Sequence, residues 1–359
     1  MTEGSRGAAP SATQDDACVR EIPRFLTKEE MRSLSEVSSG KVLSAFAAEM
    51  AMVGAAIWLS EATWFNPLTY LLALFVIGSR IVGIGGLMHE AAHYRVAKNR
   101  LLNDIVGEIM AFPTTASMAG YRNTHFAHHR ELNSERDPDW TRNFGVDDYE
   151  FPVPQYLFLR RVALHFAGLK TRQFLGSFHN NPQTRQIPVW TSRLRLLAFG
   201  LLFVSAVAFG FWKELLLYWL VPLLTTFMGV IYLKRVSEHY GVRHESVLNE
   251  TRTIVGPWWQ ILAFAPWGLN YHLEHHLYPG ITCFNLGKAH RLLMNNPVYA
   301  ENANVTRGYW GLVKELAAAK AGERDKAEAA HRLLRSRQGA MDIAGEAGLR
   351  EGAGAAHTG

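Results

Sequence analysis

The sequence predicts an all-α integral membrane protein: four transmembrane helices in two hairpins beneath a cytosolic, histidine-rich helical cap. Three observations predict it. Four apolar blocks of about spanning length fall into two pairs, each joined by a few residues. Lys and Arg gather on one side of the blocks. Three histidine clusters lie on that same side.

Taken in order, residues 1–22 are polar and rich in Ala, Gly and Ser, which reads as a disordered N-terminus without a cleavable signal peptide. The membrane domain is placed at 23–316. It opens on an amphipathic stretch, Pro23 to Glu36, whose Leu26, Met31 and Leu34 are expected to rest on the membrane surface. The first span is read as Val42 to Ser60 and the second as about Trp64 to Met88, with aromatic interface anchors at the turn. Glu49 and Arg80 lie on either side of that turn at nearly equal depth. A lone charge in a bilayer is costly, so they are expected to form an ion pair, unless Arg80 snorkels to the cytosolic face. The third span is read as Leu196 to Trp212 and the fourth as Leu215 to Leu233, joined through Lys213 and Glu214.

Arg95, Lys98 and Arg100 follow the second span, Arg193 and Arg195 precede the third, and Lys234 and Arg235 follow the fourth. The hairpin turns hold only Lys213. The positive-inside rule therefore puts both termini and every histidine cluster in the cytosol, with a bacterial cell membrane the expected location. Two shorter apolar stretches, Ile105 to Ala119 and Ile254 to Leu269, each precede a histidine cluster. Trp258, Trp259 and Trp267 suit a segment in the headgroup region. The tail, 317–359, reads as a solvated helix passing into a flexible end. A soluble bundle with buried helices is the competing reading, and the paired lengths with basic flanks weigh against it.

The two cysteines, Cys18 and Cys283, form no CxxC, which excludes a zinc ribbon, a Cys-ligated iron–sulfur cluster and a disulfide framework. The net charge of +5 calls for no nucleic acid partner, because cytosolic loops of membrane proteins carry Lys and Arg in any case.

The chemistry lies in the clusters HEAAH (His89, His93), HFAHH (His125, His128, His129) and HLEHH (His272, His275, His276). Spacings of i, i+3 and i+4 put each cluster on one helix face, where neutral imidazoles can converge on metal. His239 lies six residues beyond the fourth span, with no Pro or Gly between. A continued helix lifts it about 9 Å above the span end, level with His89, as a ninth ligand or else a lone helix-end histidine. His165, His179, His244, His290 and His331 have no partner at ligand spacing and default to surface or supporting roles. HEAAH also matches the HExxH zinc-protease pattern, with Glu90 as general base, but that reading leaves two clusters unexplained. Zinc has no redox chemistry, and nine nitrogens are too many for one tetrahedral site. A metal transporter would want ligands inside the third and fourth spans, which hold none. Glu90, Asp104, Asp137 and Glu238 are the carboxylates placed to accept an imidazole N–H and orient a ligand.

From about Leu34 to Leu293 the chain resembles the membrane fatty acyl desaturase and hydroxylase superfamily. The anchors are HEAAH, HFAHH with the RDPDW that follows it, SEHYG, and NYHLEHHLYPG at Asn270 to Gly280. Carried over motif by motif, the resemblance implies two irons held by His89, His93, His125, His128, His129, His239, His272, His275 and His276, with O2 as co-substrate. It implies a lipid or acyl-carrier substrate whose chain reaches the metals through a tunnel and is desaturated there. SEHYG is also similar to an element of alkane hydroxylases, so hydroxylation of a lipid or hydrocarbon at the same centre is the alternative. No HPGG-type heme motif occurs. Electrons are therefore expected from a separate ferredoxin or b-type cytochrome with its reductase.

Overall fold

The computed structural model describes residues 24–134, 136–172 and 189–317. The expectations for 1–22, for the tail beyond Ala317, and for His179 and His331 lie outside the described residues. In chain order the main helices are α1 (Lys28–Leu34), α2 (Ser39–Ala62), α3 (Pro67–Ala92), α4 (Arg100–Ala111), α5 (Met118–Glu131), α6 (Pro138–Asn143) and α7 (Gln155–Phe166). There follow α8 (Val189–Ala208), α9 (Trp212–His239), α10 (Trp258–Phe264), α11 (His272–Leu277), α12 (Cys283–Leu293), α13 (Pro297–Asn302) and α14 (Gly308–Ala317). The fold is all-α apart from one small parallel pair, β1 (Thr253–Val255) with β2 (Val305–Arg307). Among the described residues, α2, α3, α8 and α9 are the helices long and apolar enough to cross a membrane.

Local chemistry sets the span ends a few residues away from the expected ones. The second span starts at Pro67, not Trp64, because the Asn66 side chain caps the helix at Leu68 N and Pro67 suits the first turn. Trp64 and Phe65 instead occupy the turn in left-handed conformations. The third span ends at Ala208, where Gly210 adopts a φ of +79° that stops the helix, so Lys213 and Glu214 fall in the first turn of α9. Along α9 a π-turn occupies Leu216–Leu220 and the backbone breaks at Thr225, yet the helix runs without interruption from Thr226 to His239.

The turn ends of the two helix pairs meet. Tyr218 OH bonds Ser60 Oγ at 3.0 Å and Glu61 Oε1 at 2.7 Å, and Tyr70 OH donates to Leu217 O. Further along, α3 and α9 approach closely at Gly78, where a Cβ would collide with Thr226 and the backbone of Phe227. The Thr226 hydroxyl donates to Leu74 O there at 2.5 Å. Ile77, Ile81, Val82, Leu223, Met228 and Val230 fill the shared core.

The structure decides two sequence questions. Arg80 Nη1 lies 3.2 Å from Glu49 Oε1 with both side chains buried, so the pair forms and Arg80 does not snorkel. The N-terminal amphipathic stretch does not rest its apolar face on the membrane. Leu26 and Leu34 pack into a protein core with Leu273, Leu277, Ile281 and Leu286, because α11 and α12 present an apolar surface that α1 covers. A capping box between Thr27 and Glu30 starts α1. Of the tryptophans placed at the headgroup level, Trp258 and Trp259 are exposed, whereas Trp267 turns inward and donates to Glu49.

With the turns of both pairs at one end and the histidines at the other, Lys213 and Arg136 are expected on opposite sides of the membrane. Single cysteines at these positions, probed with an impermeant thiol reagent in sealed vesicles, are expected to label from opposite faces. Labelling of both from one face would contradict the topology.

Candidate metal centre

Four separate parts of the chain deliver the histidines. His89 lies in the last turn of α3 and His93 caps that helix. His125, His128 and His129 lie along α5, His239 ends α9, and His272, His275 and His276 form most of α11. All nine converge in two groups. One holds His89, His93, His125, His129 and His275; the other holds His128, His239, His272 and His276. Each HxxHH cluster is split between the groups, as i, i+3 and i+4 residues fan across a face instead of pointing to a single spot.

The contacts within each group identify what it can hold. In the first, Nε2 atoms meet Nε2 atoms: His89 to His275 at 3.0 Å, His93 to His125 at 2.9 Å, His129 to His125 at 3.0 Å and His129 to His275 at 2.9 Å. In the second, His272 Nε2 lies 2.8 Å from His239 Nε2 and 3.0 Å from His276 Nε2. A ring nitrogen carries one proton or one lone pair, so an Nε2 that meets two others, as in His125, His129, His272 and His275, cannot form a full hydrogen bond with each. Nitrogens bound at about 2.1 Å to one central ion and at right angles to one another stand about 3 Å apart, which is the spacing observed. His128 Nε2 is buried with no hydrogen-bond partner, as an atom reserved for a metal would be.

Protonation agrees. Burial, followed by repulsion from neighbouring rings, holds His93, His125, His129, His272, His275 and His276 well below the ordinary histidine range. These rings are neutral at pH 7 and keep a lone pair for a cation. His128 differs. Burial works against its charged form, but the hydrogen bond and charge of Asp137 outweigh this and raise its pKa.

Of the four carboxylates singled out, Asp137 makes the firmest contact, with its two oxygens 2.9 and 3.0 Å from His128 Nδ1. It also caps α6, accepting from Asp139 N and Trp140 N, so the RDPDW turn and the imidazole share one anchor. Glu238 lies 3.4 Å from His272 Nδ1 and is held by Lys234 at 2.7 Å. Glu90 is 3.7 Å from His89 Nδ1, too far for a hydrogen bond, and accepts from Cys283 N at 3.0 Å. Asp104 reaches no clustered histidine. It pairs with Arg122 at 2.7 Å, and Arg122 donates to Ala91 O and Ala92 O, carbonyls at the end of α3. Asp104 therefore steadies the helix end that carries His93, one step further out than expected.

Other groups went unnoticed in the sequence. Tyr121 stacks on His125 at 5.2 Å, and its position four residues earlier on the same helix was the available signal. Glu274 is fully buried within the third cluster, 2.5 Å from His290 Nδ1 and 2.6 Å from Tyr299 OH, with Thr253 as a third partner. That network ties α11 to α12 and α13, and gives His290 a partner no spacing rule would find. His165 is buried, not at the surface; it stacks on Tyr232 at 3.8 Å. His244 stays apart, edge-on to Trp140.

A cavity of about 470 Å³ opens onto both groups. Val82, Leu223, Phe227, Met228, Ile231 and Leu269 line its apolar part, and His89, His125, His128, His239, His272 and His275 its far end. A buried cluster of imidazoles able to hold metal at the end of an apolar chamber, on a scaffold with four helices long and apolar enough to cross a membrane, suits an integral membrane oxidoreductase. The chain belongs to the fatty acid desaturase family, whose model matches residues 62–307. It is 31% identical over 299 residues to a dihydrorhizobitoxine desaturase of Bradyrhizobium elkanii, covering 77% of this chain and 82% of the relative. An sn-1 oleoyl-lipid 12-desaturase of Picosynechococcus is 24% identical, covering 79% of this chain and 85% of its own. An sn-1 acyl-lipid omega-3 desaturase (ferredoxin) of Nostoc is 25% identical, covering 66% and 63%. The HExxH protease reading fails with this result, because His89 and His93 share a group with three further histidines.

Removing the Asp137 carboxylate as Asp137→Asn is expected to weaken metal binding about tenfold to hundredfold, as loss of a partner that orients a ligand does. Titration of the purified protein with ferrous iron checks it; unchanged affinity would make Asp137 a helix cap only. His93→Ala, His128→Ala and His275→Ala are each expected to lower iron per chain while leaving the protein in the membrane. His239→Ala is expected to weaken the four-histidine group more than the five-histidine group. Full iron occupancy in that last variant would leave eight ligands.

Proposed function

We propose that this chain is a di-iron, O2-dependent desaturase that removes two vicinal hydrogens from the acyl chain of a lipid or acyl-carrier substrate. The observation that carries the reading is the convergence of nine imidazoles in two groups at the end of an apolar cavity. Nitrogen-only donor sets suit iron, and two groups of five and four suit two ions. Iron bound there supplies the O2 activation that an unactivated C–H bond requires, with a ferredoxin or b-type cytochrome delivering the electrons that the substrate does not.

The residues of the chain supply the rest. Leu223, Phe227, Met228 and Ile231 form an apolar stripe along α9 that leads toward His239, so a bound hydrocarbon runs along it toward the histidines. Burial of the rings keeps bulk water from the reacting carbons. Asp137 holds the Nδ1 proton of His128, which leaves Nε2 free to bind iron. Lys234 neutralises Glu238 beside His272, so that the carboxylate stands next to the ring without adding an uncompensated charge to the chamber. The membrane places an acyl substrate beside the protein, and one relative named for a ferredoxin supports a separate electron donor.

Mass spectrometry of lipids from cells expressing the chain, with His275→Ala as control, tests the reading. The expected product has lost two hydrogens. A product that has gained one oxygen would assign hydroxylation, and no change in acyl lipids would remove them as the substrate class.

A further inference from the structure

We propose that residues 255–269 form a re-entrant loop that dips into the hydrocarbon of the bilayer, and that Arg80 caps its tip. The base of the loop is closed. Ile254 N donates to Asn270 O and Asn270 Nδ2 to Ile254 O, both at 2.9 Å, and Thr253 bridges Tyr271. The tip lies far below. Ser79 Oγ donates to Ala263 O at 2.5 Å, and Arg80 Nη2 donates to Leu262 O. Ser79 and Arg80 precede His89 on α3 by ten and nine residues, so the tip sits about 14 Å beneath the histidines. Phe264 reaches lower still, edge-on to Phe75 at 6.1 Å.

At that depth the tip packs on Tyr309 on one side, and on the other the neighbouring span faces outward. α2 turns most of its surface outward, and Glu49 on α2 pairs with Arg80 at the level of the tip. On either side of Glu49, α2 exposes apolar side chains, Leu43 at 50% and Met50 at 45%. The exposed Lys41 marks the headgroup boundary about 12 Å above Glu49, deeper than the roughly 5–10 Å reached by a helix lying in the interface. The loop has the composition this position demands, with no charged residue from Val255 to Leu269. Trp258, Trp259 and Leu262 face outward, and Trp258, Ile261, Leu262, Pro266 and Trp267 line an apolar groove of about 450 Å³ suited to a lipid chain.

Non-helical backbone survives in a bilayer only where its polar groups find partners. Leu262 O and Ala263 O are end-of-helix carbonyls of α10, and Arg80 and Ser79 are those partners. Glu49 in turn neutralises Arg80 and accepts from Trp267 Nε1 at 2.5 Å on the returning strand of the loop. The loop then contributes Leu269 to the cavity wall and leads three residues later to His272, which makes Arg80 a positioning residue for the third cluster.

Spin labelling of the full chain in phosphatidylcholine vesicles tests this. A nitroxide at L262C, in a C18S background where the buried Cys283 stays unlabelled, is compared with labels at M50C and K41C. The expected ratio of O2 to nickel-chelate accessibility at L262C equals that at M50C and lies several-fold above K41C; a value matching K41C would overturn the insertion. S79A and R80Q are each expected to raise label mobility at L262C and to leave M50C unchanged, with R80K, which keeps a donor, in between. Unchanged mobility at L262C in both S79A and R80Q would overturn the capping role. None of these readings requires turnover, so the outcome stands apart from the proposed chemistry.

Discussion

The close contact of α3 with α9 at Gly78 is the constraint on which the histidine site rests. From that contact, His89 lies eleven residues along one helix and His239 thirteen from Thr226 along the other, about 16 and 20 Å of helical rise. Two rigid helices started from one point thus arrive at similar heights. α5 packs beside them, and α11 is held against the cap by the buried Glu274 network. If α3 and α9 were parted by a side chain at position 78, the two ends would diverge and the imidazoles could not meet at 3 Å.

Bringing nine imidazoles together works against the fold when no cation lies between them. Desolvation keeps most of the rings neutral, but their lone pairs and N–H groups then face one another across Nε2 contacts that hydrogen bonding cannot all satisfy. A metal ion bound there would remove that penalty and couple occupancy of the site to stability of the cap. The carboxylates act at different distances. Asp137 touches a ring directly, Glu238 stands beside one with its charge matched by Lys234, and Asp104 acts through Arg122 on the helix end beneath.

The membrane interior imposes a second discipline, visible at Glu49 and Arg80. A buried ion pair alone is weak evidence of stability, since desolvation offsets much of the attraction. Here each partner also satisfies a group from the 255–269 segment, so the charges settle backbone and indole polarity that the apolar surroundings cannot. This explains why charge is tolerated in helices that are otherwise apolar.

Much of the architecture was legible in the sequence because it follows from local regularities. Block length and flanking charge marked the four apolar helices, and i, i+3, i+4 spacing marked the eight clustered histidines. A run beyond Leu233 with no Pro or Gly placed His239 beside them. Legibility ended where contacts join residues far apart in the chain. The amphipathic face of α1 carries the same pattern whether it meets lipid or protein, and only the presence of α11 and α12 decided for protein. The division of the histidines into five and four, the reach of Asp137 to His128 against that of Asp104 to Arg122, and the pairing of Glu274 with His290 all depend on how separate helices dock. Periodicity states which residues share a face; which face meets which is set by side-chain packing at contacts such as Gly78 with Thr226, and that belongs to the tertiary structure alone.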